Sequence, residues 1–125
     1  MSDLLARLEA RDTTLWPDGN VAAQRLGWVD VTARMRDEAA DLQRWAATID
    51  AGHIVLIGMG GSSLGPEVLR AAVGSDRLTV LDTTDPATVV ATPLGDTFFL
   101  VSSKSGGTIE VRALLAHCWE RVPDG

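Results

Sequence analysis

One cysteine, Cys118, is all this chain has. It cannot form a disulfide within the chain, so a reducing compartment such as the cytoplasm suits it. Basic residues are also scarce: 11 Lys and Arg stand against 17 Asp and Glu, a net charge of −6. That balance argues against non-specific nucleic-acid binding, which needs a basic surface. It leaves room for an anionic ligand, because a local nest of donors overrides the global charge. Long apolar runs are missing as well. "IVLIGMGG" is too short to span a bilayer, so no membrane role is expected. The opening "MSDLLARLEARD" carries charges throughout and no apolar core, unlike a secretory signal. No tract is of low complexity and no internal repeat is convincing. What remains is ordinary: 125 residues, 46% hydrophobic and 22% charged, a domain or part of one.

Residues 1–52 read as a helical segment. Ser2 can cap "DLLARLEAR", with Leu4, Leu5 and Leu8 on one face. "WPDGN" breaks the pattern through Pro17 and Gly19. A short helical piece is expected from Val21 to Leu26, ending at Gly27. Asp30 or Thr32 can cap a longer helix. Its apolar positions Met35, Leu42, Trp45, Ala46 and Ile49 keep helical spacing, and Gly52 sits just past its end.

From residue 53 the texture changes. "HIVLIG" is a continuous apolar run with β-branched residues, as in a strand buried on both faces, and "LTVLD" and "TFFLVS" look the same. Helical stretches follow each, and the middle one, "DPATVVA", supports only a short helix from near Pro86. The alternation implies parallel strands with right-handed crossovers. The expected class is α/β: a partial doubly wound parallel sheet in three α/β/α layers, preceded by the helical segment. The closing "VPDG" looks like the loop before a fourth strand, so residues 53–125 read as the front part of a larger domain.

Two loops at strand ends carry the chemistry. In "IGMGGSSLGPEVL", Gly58, Gly60 and Gly61 follow the first strand, then Ser62 and Ser63, with Pro66 expected near the first helical turn. Glycines let backbone approach a ligand, and a helix N-terminus favours negative charge. Walker A does not fit, because no Gly-Lys-Ser/Thr ends the loop. The dinucleotide fingerprint has Ser63 at its third glycine, yet Asp82 stands at about the right distance, ~20 residues on, to hold a ribose. A nucleotide cofactor is therefore one reading, and a tight strand-to-helix turn with a serine cap is another. The second loop, "SSKSGGT", offers hydroxyls from Ser102, Ser103, Ser105 and Thr108, the cation Lys104, and backbone N–H groups at Gly106 and Gly107. Each suits phosphate oxygens, whereas a plain helix cap needs only one such side chain.

These residues resemble a known family. Ser103-Lys104-Ser105-Gly106-Gly107-Thr108 resembles the Ser-x-Ser-Gly-x-Thr signature of sugar isomerase (SIS) domains. "GMGGSSLGP" is similar to the Gly-Ile-Gly-Gly-Ser-x-Leu-Gly-Pro loop of glucose-6-phosphate isomerases, and "LDTTDP" looks like that family's Asn/Ser-x-Asp-Pro turn. "VSSKSGGTIE" looks like its phosphate loop, and "SSKSG" with "LGW" resembles the isomerase part of actinobacterial transaldolase fusions. The motifs cover residues 53 to 120. One departure is Gly107, where the isomerases usually have threonine.

The resemblance implies a SIS-like phosphosugar-binding domain from residue 53 and phosphate ligands at Gly61, Ser62, Ser103, Lys104, Ser105 and Thr108. It implies aldose–ketose isomerisation of glucose 6-phosphate and fructose 6-phosphate, in glycolysis and gluconeogenesis, without cofactor or metal. The alternative is a non-catalytic phosphosugar-binding regulator. The reaction opens the sugar ring and moves a proton between C1 and C2 through a cis-enediol. It needs a carboxylate base, a cation and a ring-opening pair. The family carries these beyond the part matched here, so the chain is expected to be a fragment with the phosphate half of the site and no turnover alone. Its partner would be the missing C-terminal portion or a second copy. His53 stands at the wrong strand end for a site. His117, Cys118 and the four tryptophans read as packing residues, and Glu67 and Glu110 as acids of first helical turns.

Overall fold

A computed structural model describes residues 2–122. Ser2's expected capping side chain and the "PDG" of the expected closing loop lie outside the described residues. The chain forms two compact units, Met1–Thr48 and Ile49–Gly125.

The first unit is helical. Helix α1 spans Ser2–Glu9, a 3₁₀ turn Thr13–Leu15, α2 Gly19–Ala23 and α3 Val31–Ala46. Aspartates start the short elements. Asp18 accepts from the N–H groups of Asn20 and Val21, pairing donors that a helix start leaves open. The helix expected over 21–26 therefore begins and ends earlier. Asp12 accepts from the Thr14 hydroxyl at 2.6 Å, the Arg7 guanidinium at 2.7 Å and the Thr14 N–H at 2.9 Å. α3 closes at Ala47, not at Gly52. Gly52 instead lies against the Asp96 side chain, where a Cβ would collide. Ala22 and Leu26 are buried, but α3 buries no residue. All four tryptophans are more than a third exposed, Trp119 the most at 68%.

The second unit is an open parallel sheet of β1 (His53–Gly58), β2 (Leu78–Leu81) and β3 (Thr97–Ser102), in the order β2-β1-β3. β1 is central, and Val55, Leu56 and Ile57 are all buried. β2 and β3 are edges: Leu100 and Val101 stay exposed, so the expected burial on both faces holds for β1 only. Val55 and Ile57 pack with Leu81 and with Val111, Leu114 and Cys118 of α6 (Ile109–Trp119). Alternation turns Leu56 and Gly58 to the other face. There α4 (Gly61–Val73) crosses from β1 to β2, as right-handed connection requires. The short α5 (Pro86–Ala91) is capped by Asp85, which accepts from Thr88 N–H at 2.9 Å, and Val89 reaches the α6-side core. Burying a side chain such as Ile57 contributes about 1.5–3 kcal/mol. Elsewhere apolar surface is left uncovered: Leu64, Val68, Leu69 and Val73 of α4 are each more than half exposed.

α4 starts at Gly61, well before the residues expected to open it. Pro66 is thus inside the helix and Glu67 beyond its first turn. Proline has no N–H to return to the Ser62 carbonyl four residues back. Among the described residues no helix is long and apolar enough to cross a membrane.

The bonds from Thr14 and then Arg7 hold the Asp12 carboxyl below its usual 3.8, at about 2. A depressed carboxyl stabilises the folded state above its unfolded value, and that contribution disappears as pH falls through the folded one. Thermal melts should show Asp12→Asn less stable than the unmodified chain near neutrality. The two should converge as pH falls from about 4 toward 2.

Candidate functional site

The first loop is shorter than its sequence suggests. β1 ends at Gly58, and only Met59 and Gly60 separate it from α4. Gly60 has φ 56° and ψ −120°, the first central position of a type II′ turn, which a side chain disfavours. Ser62 N–H closes the turn on the Met59 carbonyl at 3.2 Å. Gly61 and Ser62 therefore open the helix. The Gly61 N–H has no acceptor among the described residues, and nothing lies within 4 Å of where its Cβ would stand.

The adjacent serines differ. Ser63 is 0% exposed, and its hydroxyl donates to the Gly60 carbonyl at 3.0 Å. Ser62 is half-buried, and its hydroxyl has no partner among the described residues. Only Ser62 is thus available to a ligand. Nothing in the sequence separates Ser63 from Ser62 in this respect, although a serine three residues after a cap glycine can bond back to it.

The second loop, residues 103–108, folds on its own side chains. Ser103 accepts from Gly106 N–H at 3.1 Å, and Ser105 from Gly107 N–H at 3.2 Å. The two glycine N–H groups expected for a ligand are therefore taken, because short hydroxyl side chains reach backbone two or three residues on. Each hydroxyl accepts with its oxygen and keeps its proton to donate. Lys104 is exposed and in no ion pair among the described residues. Thr108 is the N-cap of α6, yet its side chain makes no capping bond. α4 likewise starts without a side-chain cap. Gly106, at φ 66°, needs glycine; Gly107 does not, and its Cβ would meet only the Ser105 hydroxyl at 3.8 Å.

Strand order brings the loops together. β1 pairs with β3 in parallel, and Gly58 stands opposite Ser102, so both turns leave neighbouring strands at the same level. β1 leads by α4 to β2 on one side, while β3 lies on the other. That reversal is a topological switch point, where open α/β sheets bind ligands. Gly58 marks the closest approach. A Cβ there would stand 2.9 Å from the Ser62 carbonyl oxygen and 3.2 Å from that of Ser102. Asp82 follows β2, beside the first turn but across β1 from the second. His53 sits at the opposite end of β1. Cys118 is buried in the core, and burial raises its thiol pKa. The two turns supply one ammonium, several hydroxyls and an open N–H, with no imidazole or carboxylate. Such a set of donors suits an anion. No described cluster of His, Cys, Asp and Glu could hold a metal.

These features define a SIS-like α/β fold with two polar turns at one switch point. By sequence the chain is a homologue of part of glucose-6-phosphate isomerase. It is 36% identical over 117 residues to the glucose-6-phosphate isomerase of Geobacter sulfurreducens, covering 82% of this chain and 22% of that protein. It is 30% identical over 111 residues to a probable glucose-6-phosphate isomerase of Natronomonas pharaonis, covering 86% and 26%. A stretch of 69 residues is 42% identical to the enzyme named from Rippkaea orientalis, covering 47% and 13%. The chain thus spans about a quarter or less of the length of these curated relatives. No family model and no solved structure matches it.

Two glycines should separate under mutation. Gly58→Ala must push the turns apart, costing about 1–3 kcal/mol in urea unfolding, the usual range for an overpacked site. Gly107→Thr, which restores the residue usual in the isomerases, should leave stability unchanged or raise it by up to about 1 kcal/mol.

Proposed function

We propose that this chain is the phosphate-anchoring part of a glucose-6-phosphate isomerase, which interconverts glucose 6-phosphate and fructose 6-phosphate in glycolysis and gluconeogenesis. The observation that carries the reading is the pairing of Gly58 with Ser102, which sets the two polar turns side by side. The names of the relatives favour a phosphosugar over a dinucleotide. In this reading the domain from residue 53 binds the phosphoryl group. Lys104 donates a charge-assisted hydrogen bond, and the hydroxyls of Ser62, Ser103, Ser105 and Thr108 and the Gly61 N–H complete the shell. Holding the phosphate fixes the far end of the sugar, so C1 and C2 arrive in one place. Binding energy from a non-reacting group is then used for orientation. The proton-transfer groups come from the remaining portion of a longer enzyme or from a second copy. The setting is the cytoplasm, and no cofactor takes part.

Titration with 6-phosphogluconate tests this by amide chemical shift. Gly61 and Ser103 should shift together along one saturation curve. Lys104→Ala should weaken binding about tenfold or more, as expected for a hydrogen bond to a charged group. Binding should also weaken below about pH 6, where a phosphate monoester regains its second proton. Silence at both amides sinks the reading. A response to a nicotinamide dinucleotide, with none to the sugar phosphate, replaces it with the nucleotide alternative.

A further inference from the structure

We infer that Ser63 is a positioning residue: its buried hydroxyl latches the Gly60–Gly61 peptide so that the Gly61 N–H points out of the helix toward the anion. The second half of that statement rests on the function proposed above; the latch itself does not.

A type II′ turn converts to type I′ when its central peptide plane flips. Type I′ needs positive φ at both central residues, which glycine alone supplies readily. Gly60 and Gly61 are the central pair here, so the backbone permits both turns. In the observed one, the Gly60 carbonyl points down α4. It accepts from Ser63 N–H, Leu64 N–H and the Ser63 hydroxyl, each at 3.0 Å. A peptide unit is planar and trans, so fixing its carbonyl fixes its N–H in the opposite direction. For the Gly60–Gly61 unit that N–H is the open donor of Gly61. A flip would turn this donor away and put a carbonyl dipole in its place.

The three bonds are not equivalent. Two are first-turn helical bonds, which fray at a helix end. Within this pair of loops, the hydroxyl bond is the one made by a side chain that is 0% exposed. Water cannot reach Ser63 to replace it. Pro66 adds to the need, because it leaves the Ser62 carbonyl without its intrahelical N–H.

The test has a ligand-free part and a binding part. In mixed light and heavy water, the Ser63 Cβ of the unmodified chain should give two resolved carbon lines, from a hydroxyl in slow exchange. One averaged line overturns the latch. In Ser63→Ala, residual dipolar and three-bond couplings should show the Gly61 N–H reoriented, and Ser63→Thr, which keeps the hydroxyl, should restore them. Unchanged couplings in the alanine variant reduce Ser63 to a space-filling role. The affinity for 6-phosphogluconate should fall about five- to tenfold in Ser63→Ala, the usual effect of one lost hydrogen bond. A reoriented N–H with unchanged affinity overturns the positioning part. If the unmodified chain does not bind 6-phosphogluconate, the proposed function fails, while the carbon lines and couplings still decide the latch.

Discussion

Parallel pairing of β1 with β3 is the constraint on which the site depends. The residues of the two turns lie more than forty positions apart in the chain, yet Gly58 and Ser102 stand opposite one another. Had β3 added beside β2, the same two loops would sit at opposite edges of a β1-β2-β3 ladder. The reversal of strand order converts two ordinary helix starts into one polar surface. Gly58 sets the distance of closest approach, because the carbonyls of Ser62 and Ser102 fill the space a side chain would occupy.

Around that junction, some hydrogen-bonding groups are used within the fold and others stay open. α5 is capped at its start by the Asp85 carboxylate, whereas α4 and α6 start without side-chain caps. Three of the serines spend a hydrogen-bonding capacity on backbone. Ser63 donates inward, and Ser103 and Ser105 accept from the glycines that follow. The turns therefore hold their shape with nothing bound. What they leave over is a donor set: protons of hydroxyls, the Lys104 ammonium and the Gly61 N–H.

Much of this was legible in the sequence because it rests on local chemistry. A continuous apolar run such as His53–Gly58 marks a strand, and Asp85-Pro86 marks a helix start; both appear where expected. The positions of the polar turns at strand ends follow from the same periodicity. Three things were not legible. Pro66 suggests a later helix, but α4 begins at Gly61 despite the proline, its first turn held by the bonds that buried Ser63 makes to the Gly60 carbonyl. Gly52 looked like a helix end, whereas its smallness serves the Asp96 side chain, a contact distant in sequence. Ser62 and Ser63 are the same residue side by side, and only burial tells which one faces inward.

The sheet is assembled from contacts of unequal range. Ile54 meets Leu78 in one ladder, while His53 must find Thr97 in the other. Closing the larger loop costs more chain entropy and slows folding, since non-local pairing repays that cost only once it is complete. The junction of the two turns belongs to this late-closing pair. During synthesis the first turn is made before its counterpart exists. The polar surface that the two turns share is thus completed late, after the more local β1–β2 pairing.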